Sequence, residues 1–243
     1  MRFERILLTC EHATNRIPAR YRTLFRDAEE ILESHRGYDP GALALTRALS
    51  RHLGVPYFAT DTSRLLVEGN RSTGHPAHFS EFTKTLPETE RDFIIEKYYR
   101  PFRRSCRHAI DAMMRRDGFV LHLSVHSFTP VWRGEERRVD VALLYDPSRR
   151  PERELCDAWI AALRRADPTL RIRRNNPYRG IANAHTTELR RSYGAPKYAG
   201  IEIEVNQRVL AVPNAPGTIG ALLTSTLRTA AAVKSLSAHR RRS

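Results

Sequence analysis

With 243 residues, of which 41% are hydrophobic, the chain is long enough to bury one core, and we expect a soluble globular protein. No apolar run approaches the roughly 20 residues that span a bilayer, and the short apolar run near the start is not typical of a signal peptide. The three cysteines are odd in number and have no close spacing, which is typical of reduced thiols rather than of a disulfide framework. We therefore expect a cytoplasmic protein without a membrane segment.

Strand and helix signals alternate along the chain. Strands are predicted at 5–9, 55–60, 118–125, 139–146, 169–174 and 198–207. Helices are predicted at 40–54, 87–116, 151–166 and 217–233, and the second of them is expected to be interrupted at Pro101. Because strands alternate with helices of this length, the sequence predicts a single α/β domain with a mostly parallel central sheet and helices on both faces.

The net charge of +14 could indicate a protein that binds nucleic acid. Against this, the basic residues are nearly all arginine, are widely scattered and accompany no nucleic-acid-binding motif. Nucleic acid is therefore an unexpected partner, and a GC-rich genome explains the arginine content. We expect residues 1–236 to form the domain and the basic residues 237–243 to form a disordered tail.

Polar residues follow most of the predicted strands, and ligand sites of α/β sheets form at the carboxyl ends of strands. Two of these residues, His12 and His126, could point into one cleft. A catalytic zinc takes three protein ligands from His, Asp or Glu and keeps a fourth position for water. Asp39 is the first choice for the third ligand, and Glu11 is the second, because adjacent residues at a strand end tend to point to opposite sides. Asp39 could instead cap the helix at 40–54, and each histidine could be a hydrogen-bonded core residue.

The segment GIEIEVNQ, residues 200–207, alternates, so that Glu202 and Glu204 share one face of a strand. Glutamates are costly in a covered sheet unless they are exposed or have a function. Glu204 is nearer the carboxyl end and is predicted to be the acid/base residue. The alternative is an edge strand with a solvated acidic face.

Two polar loops supply candidate residues for binding the carboxylate of a small-molecule substrate. An arginine can bind a carboxylate through two parallel hydrogen bonds, and an asparagine beside it adds a donor. In so arginine-rich a chain, each arginine could also be a solvated surface residue. The candidates are Arg64, Asn70 and Arg71 in SRLLVEGNRS, and Asn176 and Arg179 in NNPYRG.

Six motifs in the chain resemble, in their order, those of the N-formylglutamate amidohydrolase family. They are CEHATNRIP, YDPGA, SRLLVEGNRS, VHSFTP, NNPYRG and GIEIEVNQ. The resemblance runs from about residue 5 to residue 207 and implies a sheet of the phosphorylase/hydrolase kind, a bound Zn²⁺ and hydrolysis of the amide of a small N-acyl amino acid such as N-formylglutamate. It implies metal ligands at His12, Asp39 and His126, a carboxylate-binding pair at Asn70 and Arg71, and a water-activating glutamate at Glu204.

Two alternatives to hydrolysis of N-formylglutamate are open at this point. The substrate could be another N-acyl amino acid or a peptide, as in the related aspartoacylases and zinc carboxypeptidases. The protein could also bind polyanions through its basic residues without any catalysis, in which case binding would depend strongly on salt and no stoichiometric zinc would be present.

Overall fold

The computed structural model describes residues 5–115 and 118–239. In these residues the strands are β1 (Ile6–Cys10), β2 (Tyr57–Ala59), β3 (Val120–Phe128), β4 (Val131–Trp132), β5 (Glu135–Glu136), β6 (Val141–Leu144), β7 (Ile172–Arg174) and β8 (Tyr198–Asn206). The α-helices are α1 (Glu29–Glu33), α2 (Ala42–Leu53), α3 (Glu88–Ile94), α4 (Arg100–Arg115), α5 (Arg150–Ala166), α6 (His185–Ser192), α7 (Gln207–Leu210) and α8 (Ala215–His239). A 3₁₀ helix covers Ala19–Phe25, and a π-helical segment, Ile95–Tyr99, joins α3 to α4.

Six strands form the central sheet in the order β2-β1-β3-β8-β6-β7, and β4 pairs with β5 in a separate hairpin. Strands β1, β2, β3 and β8 are parallel to one another, whereas β6 is antiparallel to β8 and parallel to β7. The predicted single α/β domain with a mostly parallel sheet is therefore confirmed. Because β8 lies between β3 and β6, the alternative that it is an edge strand with a solvated face is wrong.

One face of the sheet is apolar along its whole length. Every second residue of β8, Ile201, Ile203 and Val205, belongs to a buried cluster to which α2, α5 and α8 contribute. Trp159 of α5 is buried in this cluster, and its Nε1 donates to the Leu223 carbonyl of α8 at 3.2 Å. Full burial of each such side chain contributes roughly 1.5–3 kcal/mol, so this face supplies most of the hydrophobic stabilisation.

The opposite face changes character along the strands. Near their amino ends, Leu7, Val120 and Tyr198 pack against α4 and α6 in a smaller apolar cluster. Towards the carboxyl ends the same face carries buried polar side chains instead, including Ser124 and Glu202. Helices thus cover both faces, and the polar half of this second face forms the floor of the functional site.

The chain does not leave the helical conformation at Pro101. The Arg100 N–H donates to the Ile95 carbonyl in a π-helical turn, and the hydrogen-bond pattern therefore changes directly before the proline. A proline has no N–H to donate, and the wider turn accommodates it without a break. The predicted interruption is thus a change of helix type, and residue 116, the predicted helix end, lies outside the described residues.

Several short elements were not predicted from the sequence, because one or two turns show too little periodicity to identify. They are the 3₁₀ helix, α1, α6, α7 and the β4–β5 hairpin. At the other end of the chain, α8 continues past its predicted end at 233 to His239, and residues 240–243 of the predicted tail lie outside the described residues. In the described part of the chain, no helix has both the length and the apolar character that a membrane span requires. The three cysteines are buried, and none of them forms a disulfide bond in the described residues.

Candidate active site

A cavity of about 440 Å³ opens at the carboxyl ends of β1, β3 and β8, where ligand sites of α/β sheets form. Eight of the nine site residues predicted from the sequence line it. They are His12, Asp39, Arg64, Asn70, Arg71, His126, Arg179 and Glu204. The ninth, Asn176, is exposed and is not among the described residues that line the cavity.

The three predicted metal ligands converge on one point of this cavity. Oδ2 of Asp39 lies 3.2 Å from Nδ1 of His12 and 2.9 Å from Nδ1 of His126. The two imidazole ring centres are 5.0 Å apart. Zinc bonds of about 2.0–2.1 Å in a tetrahedral arrangement separate ligand atoms by roughly 3.3 Å. The spacing of these three donors therefore suits a zinc-sized cation.

The outer nitrogens of both histidines are already hydrogen-bonded. Nε2 of His12 lies 2.5 Å from Oε1 of Glu68, and Nε2 of His126 lies 2.8 Å from Oγ of Ser124. Protons on both Nε2 atoms leave the two Nδ1 lone pairs directed at Asp39. Three electron-rich atoms then meet at one point, which only a proton or a metal cation can stabilise. Metal-binding histidines commonly use this arrangement, in which the second ring nitrogen donates to a carboxylate or hydroxyl oxygen.

Asp39 is held in place by the backbone around it. Its N–H donates to the His12 carbonyl at 3.0 Å, and Gly41, with φ +83°, begins α2 two residues later. A Cβ at Gly41 would lie 2.9 Å from Leu210, so this turn requires glycine. The Asp39 carboxylate contacts the two histidines rather than the α2 amino end, where Gly41 is the N-cap, so the helix-capping alternative does not describe it. Burial alone would raise the pKa of Asp39, but His12 and His126 lower it below the usual value.

Glu11, the second candidate ligand, lies behind His126 and is fully buried. Ser124 donates to its Oε2 at 2.7 Å, while Thr9 and the His185 ring contact its Oε1 at 2.7 and 2.9 Å. A chain of hydrogen bonds thus runs from His126 through Ser124 to Glu11. Burial alone would raise the pKa of Glu11, but the hydrogen bonds from His126 and His185 lower it well below the usual value. Glu11 therefore orients His126, whereas Asp39 faces its other ring nitrogen.

A second group of possible metal donors, Glu11, His122 and His185, also lies within 4.8 Å. Both ring nitrogens of His122 are occupied, Nε2 by Thr9 and Nδ1 by the Tyr198 hydroxyl, each at 2.7 Å. We therefore interpret this group as a buried hydrogen-bond network that supports Glu11.

Glu204 lies beside His126, because the two residues are register partners on the parallel strands β8 and β3. Its Oε2 is buried and has no hydrogen-bond partner among the described residues. By contrast, Oε1 of the neighbouring Glu202 accepts from the Thr186 hydroxyl at 2.6 Å. Burial raises the pKa of Glu204 to about 8, with Asp39 and Glu202 adding to the rise and His126 opposing it. A buried carboxyl group with a free oxygen and a raised pKa is typical of an acid/base residue.

The raised pKa of Glu204 predicts how the stability of the folded protein depends on pH. In the unfolded chain this carboxyl ionises near 4.5, whereas in the metal-free folded protein it stays protonated up to about 8. Between these values the folded state binds more protons, so the free energy of unfolding contributed by Glu204 falls as the pH rises. With a chelator present, we expect Glu204→Gln to melt at a higher temperature than the wild type at pH 8, and near the wild-type temperature at pH 5. If the melting temperatures of the wild type and the variant changed in parallel between pH 5 and pH 8, the pKa of Glu204 would not be raised in the folded protein.

The polar loop after β2 supplies three of the lining residues, and each of them already forms an ion pair or a hydrogen bond within the protein. Arg64 forms ion pairs with Glu68 at 2.5 Å and with Asp39 at 3.4 Å. Asn70 accepts through Oδ1 from the His185 N–H at 2.8 Å, and Arg71 donates to the Asn183 carbonyl. Arg64 thus fixes the positions of two carboxylates of the site. Asn70 and Arg71 connect this loop to the segment that contains Asn183 and His185.

The rim of the cavity is aromatic and basic. Tyr178 and Arg179 are exposed there, and Arg137 donates to the Tyr178 hydroxyl at 3.1 Å. Arg137 also lies over the Trp132 ring at 5.0 Å from its centre. The rim therefore carries the Tyr178 ring and the Arg179 side chain, and the contacts of Arg137 connect Tyr178 to Trp132.

Sequence reasoning missed two polar residues that contact the predicted ligands, Glu68 and Ser124. Each had a local signal. Ser124 and His126 alternate with apolar residues in the same way as the glutamates of β8, and Glu68 follows Arg64 by four residues. The alternation places Ser124 beside His126, two residues further on, whereas nothing local identifies His12 as the partner of Glu68, since the two are 56 positions apart.

A model of the N-formylglutamate amidohydrolase family matches residues 4–211. The chain belongs to the N-formylglutamate amidohydrolase family. The resemblance found in the six sequence motifs is thereby confirmed. Membership in the N-formylglutamate amidohydrolase family supports a hydrolase that acts on an amide.

Two crystal structures show the same fold. A gene product from Agrobacterium tumefaciens is 28% identical, with a TM-score of 0.83 over 95% of this chain and 92% of that chain. An N-formylglutamate amidohydrolase from Ralstonia eutropha is 20% identical, with a TM-score of 0.68 over 95% of this chain and 94% of that chain. No curated protein sequence matches the chain.

Proposed function

We propose that this member of the N-formylglutamate amidohydrolase family is a zinc-dependent enzyme that cleaves the amide of a small N-acyl amino acid such as N-formylglutamate. The convergence of His12, Asp39 and His126, with both outer histidine nitrogens engaged, is the observation that carries this proposal. These residues would hold the zinc ion, which when bound would polarise the amide carbonyl and lower the pKa of a water molecule to about 7.

Glu204 would move the protons of this reaction. As a carboxylate it would accept a proton from the attacking water, and as an acid it would return the proton to the departing nitrogen. Its pKa of about 8 in the metal-free site suits the donor role. A cation held by neighbouring His126 and Asp39 would favour the ionised form that the acceptor role requires.

The substrate would be held by its carboxylates. Arg71 and Arg179 come from different segments of the chain that line the cavity, and an N-acyl glutamate carries two carboxylates that these cations could bind separately. Asn70 would add a donor beside the metal ligands, since its Nδ2 lies 3.5 Å from Nε2 of His126. Arg64 would act mainly by steadying Asp39. Asn176 would contact only a part of the substrate that extends beyond the cavity.

Metal analysis combined with an activity assay tests this proposal. We expect about one zinc ion per chain, loss of N-formylglutamate hydrolysis on chelation, and recovery when zinc is restored. A panel of N-formyl, N-acetyl and N-succinyl amino acids would rank acyl groups and side chains by kcat/KM. Full activity in the chelated protein would contradict the metal role. Absence of zinc together with strong, salt-dependent binding to DNA or RNA would favour the polyanion-binding alternative.

A further inference from the structure

A second cavity, of about 350 Å³, lies beside α4 and shares no lining residue with the active-site cavity. Four of its lining residues are arginines that follow one another at the spacing of a single helix face. They are Arg100, Arg103, Arg104 and Arg107.

The wall of this cavity has an excess of positive charge. Glu188 is its only acidic lining residue among those described, and it pairs with Arg103 and, at 3.6 Å, with Arg107. Arg100 pairs at 2.9 Å with Glu96, which does not line the cavity. One carboxylate therefore faces four guanidinium groups, and a negatively charged occupant would be attracted electrostatically.

Arg103 gives a second and independent indication of a ligand. Its side chain is 8% exposed, and it donates through Nη1 to the Gly69 carbonyl at 3.1 Å and through Nη2 to Glu188. Its Nε is buried and has no hydrogen-bond partner in the described part of the chain. Leaving a buried charged donor without an acceptor is unfavourable, so the Arg103 guanidinium keeps unused hydrogen-bonding capacity in this wall of the cavity.

We propose that this cavity, the α4 arginine site, binds a small molecule through a phosphate group. Guanidinium groups bind phosphate oxygens through paired, charge-assisted hydrogen bonds, and several guanidinium groups together suit a dianion better than a monoanion. The cavity volume leaves room for an organic group beside the phosphate. The site is adjacent to the segment that carries Asn70 and Arg71. Arg103 donates a hydrogen bond to the Gly69 carbonyl, and the Tyr99 hydroxyl donates to the Arg71 carbonyl at 2.8 Å.

Isothermal titration of the full chain with inorganic phosphate and with glycerol 3-phosphate tests the α4 arginine site. We expect both probes to bind, the ester more tightly, and the double variant Arg104→Gln/Arg107→Gln to bind each about tenfold or more weakly. The double variant Arg51→Gln/Arg165→Gln removes the same charge from exposed positions on α2 and α5 and should bind as the wild type does.

Glu188→Gln supplies a test in the opposite direction, because removing the acidic lining residue should tighten phosphate binding several-fold. A phosphate affinity that is the same in the wild type, in the Arg104/Arg107 variant and in Glu188→Gln would overturn the proposal. Equal losses of phosphate affinity in the two double variants would also overturn the proposal, because phosphate binding would then depend only on the net charge of the protein.

Discussion

Glu204→Gln is expected to retain its zinc and to lose turnover by about 10²–10⁴-fold, the contribution typical of general acid–base catalysis. The substitution keeps the size of the side chain but removes the carboxyl group that we propose accepts and returns the proton. Because Oε2 of Glu204 has no hydrogen-bond partner among the described residues, the change should disturb few contacts. Steady-state kinetics on N-formylglutamate, together with the zinc content of the same preparation, measure both parts of this expectation.

Glu202→Gln is the matched control for this experiment. Glu202 lies two residues away on the same face of β8 and lines the same cavity, but its carboxylate already accepts from Thr186. We expect a loss of less than about tenfold in kcat, because Oε1 of Glu202 is already hydrogen-bonded and its register partner on β3 is Ser124 rather than His126. Equal losses in the two variants would assign the effect to the charge of the cavity rather than to Glu204.

Asp39→Asn is expected to abolish stoichiometric zinc binding, and with it the activity. Asparagine is a neutral and weaker ligand, and its NH₂ group could not face two imidazole lone pairs and a cation together. Glu11→Gln should instead keep about one zinc per chain and bind it about 10–100-fold more weakly, which is the typical effect of losing a residue that orients a ligand. Competition with a chromophoric chelator measures both affinities.

The same pair of variants decides between the two carboxylates considered for the metal site. If Glu11→Gln lost the metal and Asp39→Asn retained it, Glu11 would be the ligand and the geometric assignment would be reversed. Circular dichroism of both variants is needed beside the metal analysis, because Glu11 is fully buried among several donors.

The fold could be predicted largely from alternation and helical spacing. The residues of β3 and β8 alternate between an apolar set, which packs on α2, α5 and α8, and a second set, which turns polar towards the carboxyl ends, where His126, Glu202 and Glu204 line the cavity. This pattern is set by the strand itself and is therefore visible in the sequence. The antiparallel orientation of β6 could not be predicted, because it depends on the path of the chain between β3 and β6 rather than on any local pattern.

The residues of the candidate site could be predicted better than their partners. Residues at strand ends, such as His12 and His126, are recognisable because polar side chains there interrupt apolar runs. Their partners come from distant segments, as in the contact between Glu11 and His185, which are 174 positions apart. Arg64 shows the same limit: the sequence indicates a free cation for a substrate, whereas the fold places two carboxylates against it.

The proposed catalytic residues and the proposed substrate-binding residues lie on different kinds of segment. His126 and Glu204 stand on the two longest strands, whose nine residues each are buried throughout, while Arg71 and Arg179 stand on irregular segments at the cavity margin. Insertions and substitutions accumulate more readily in such segments than in enclosed strands. We therefore expect relatives of this protein to differ more in the molecules they accept than in how they break the amide.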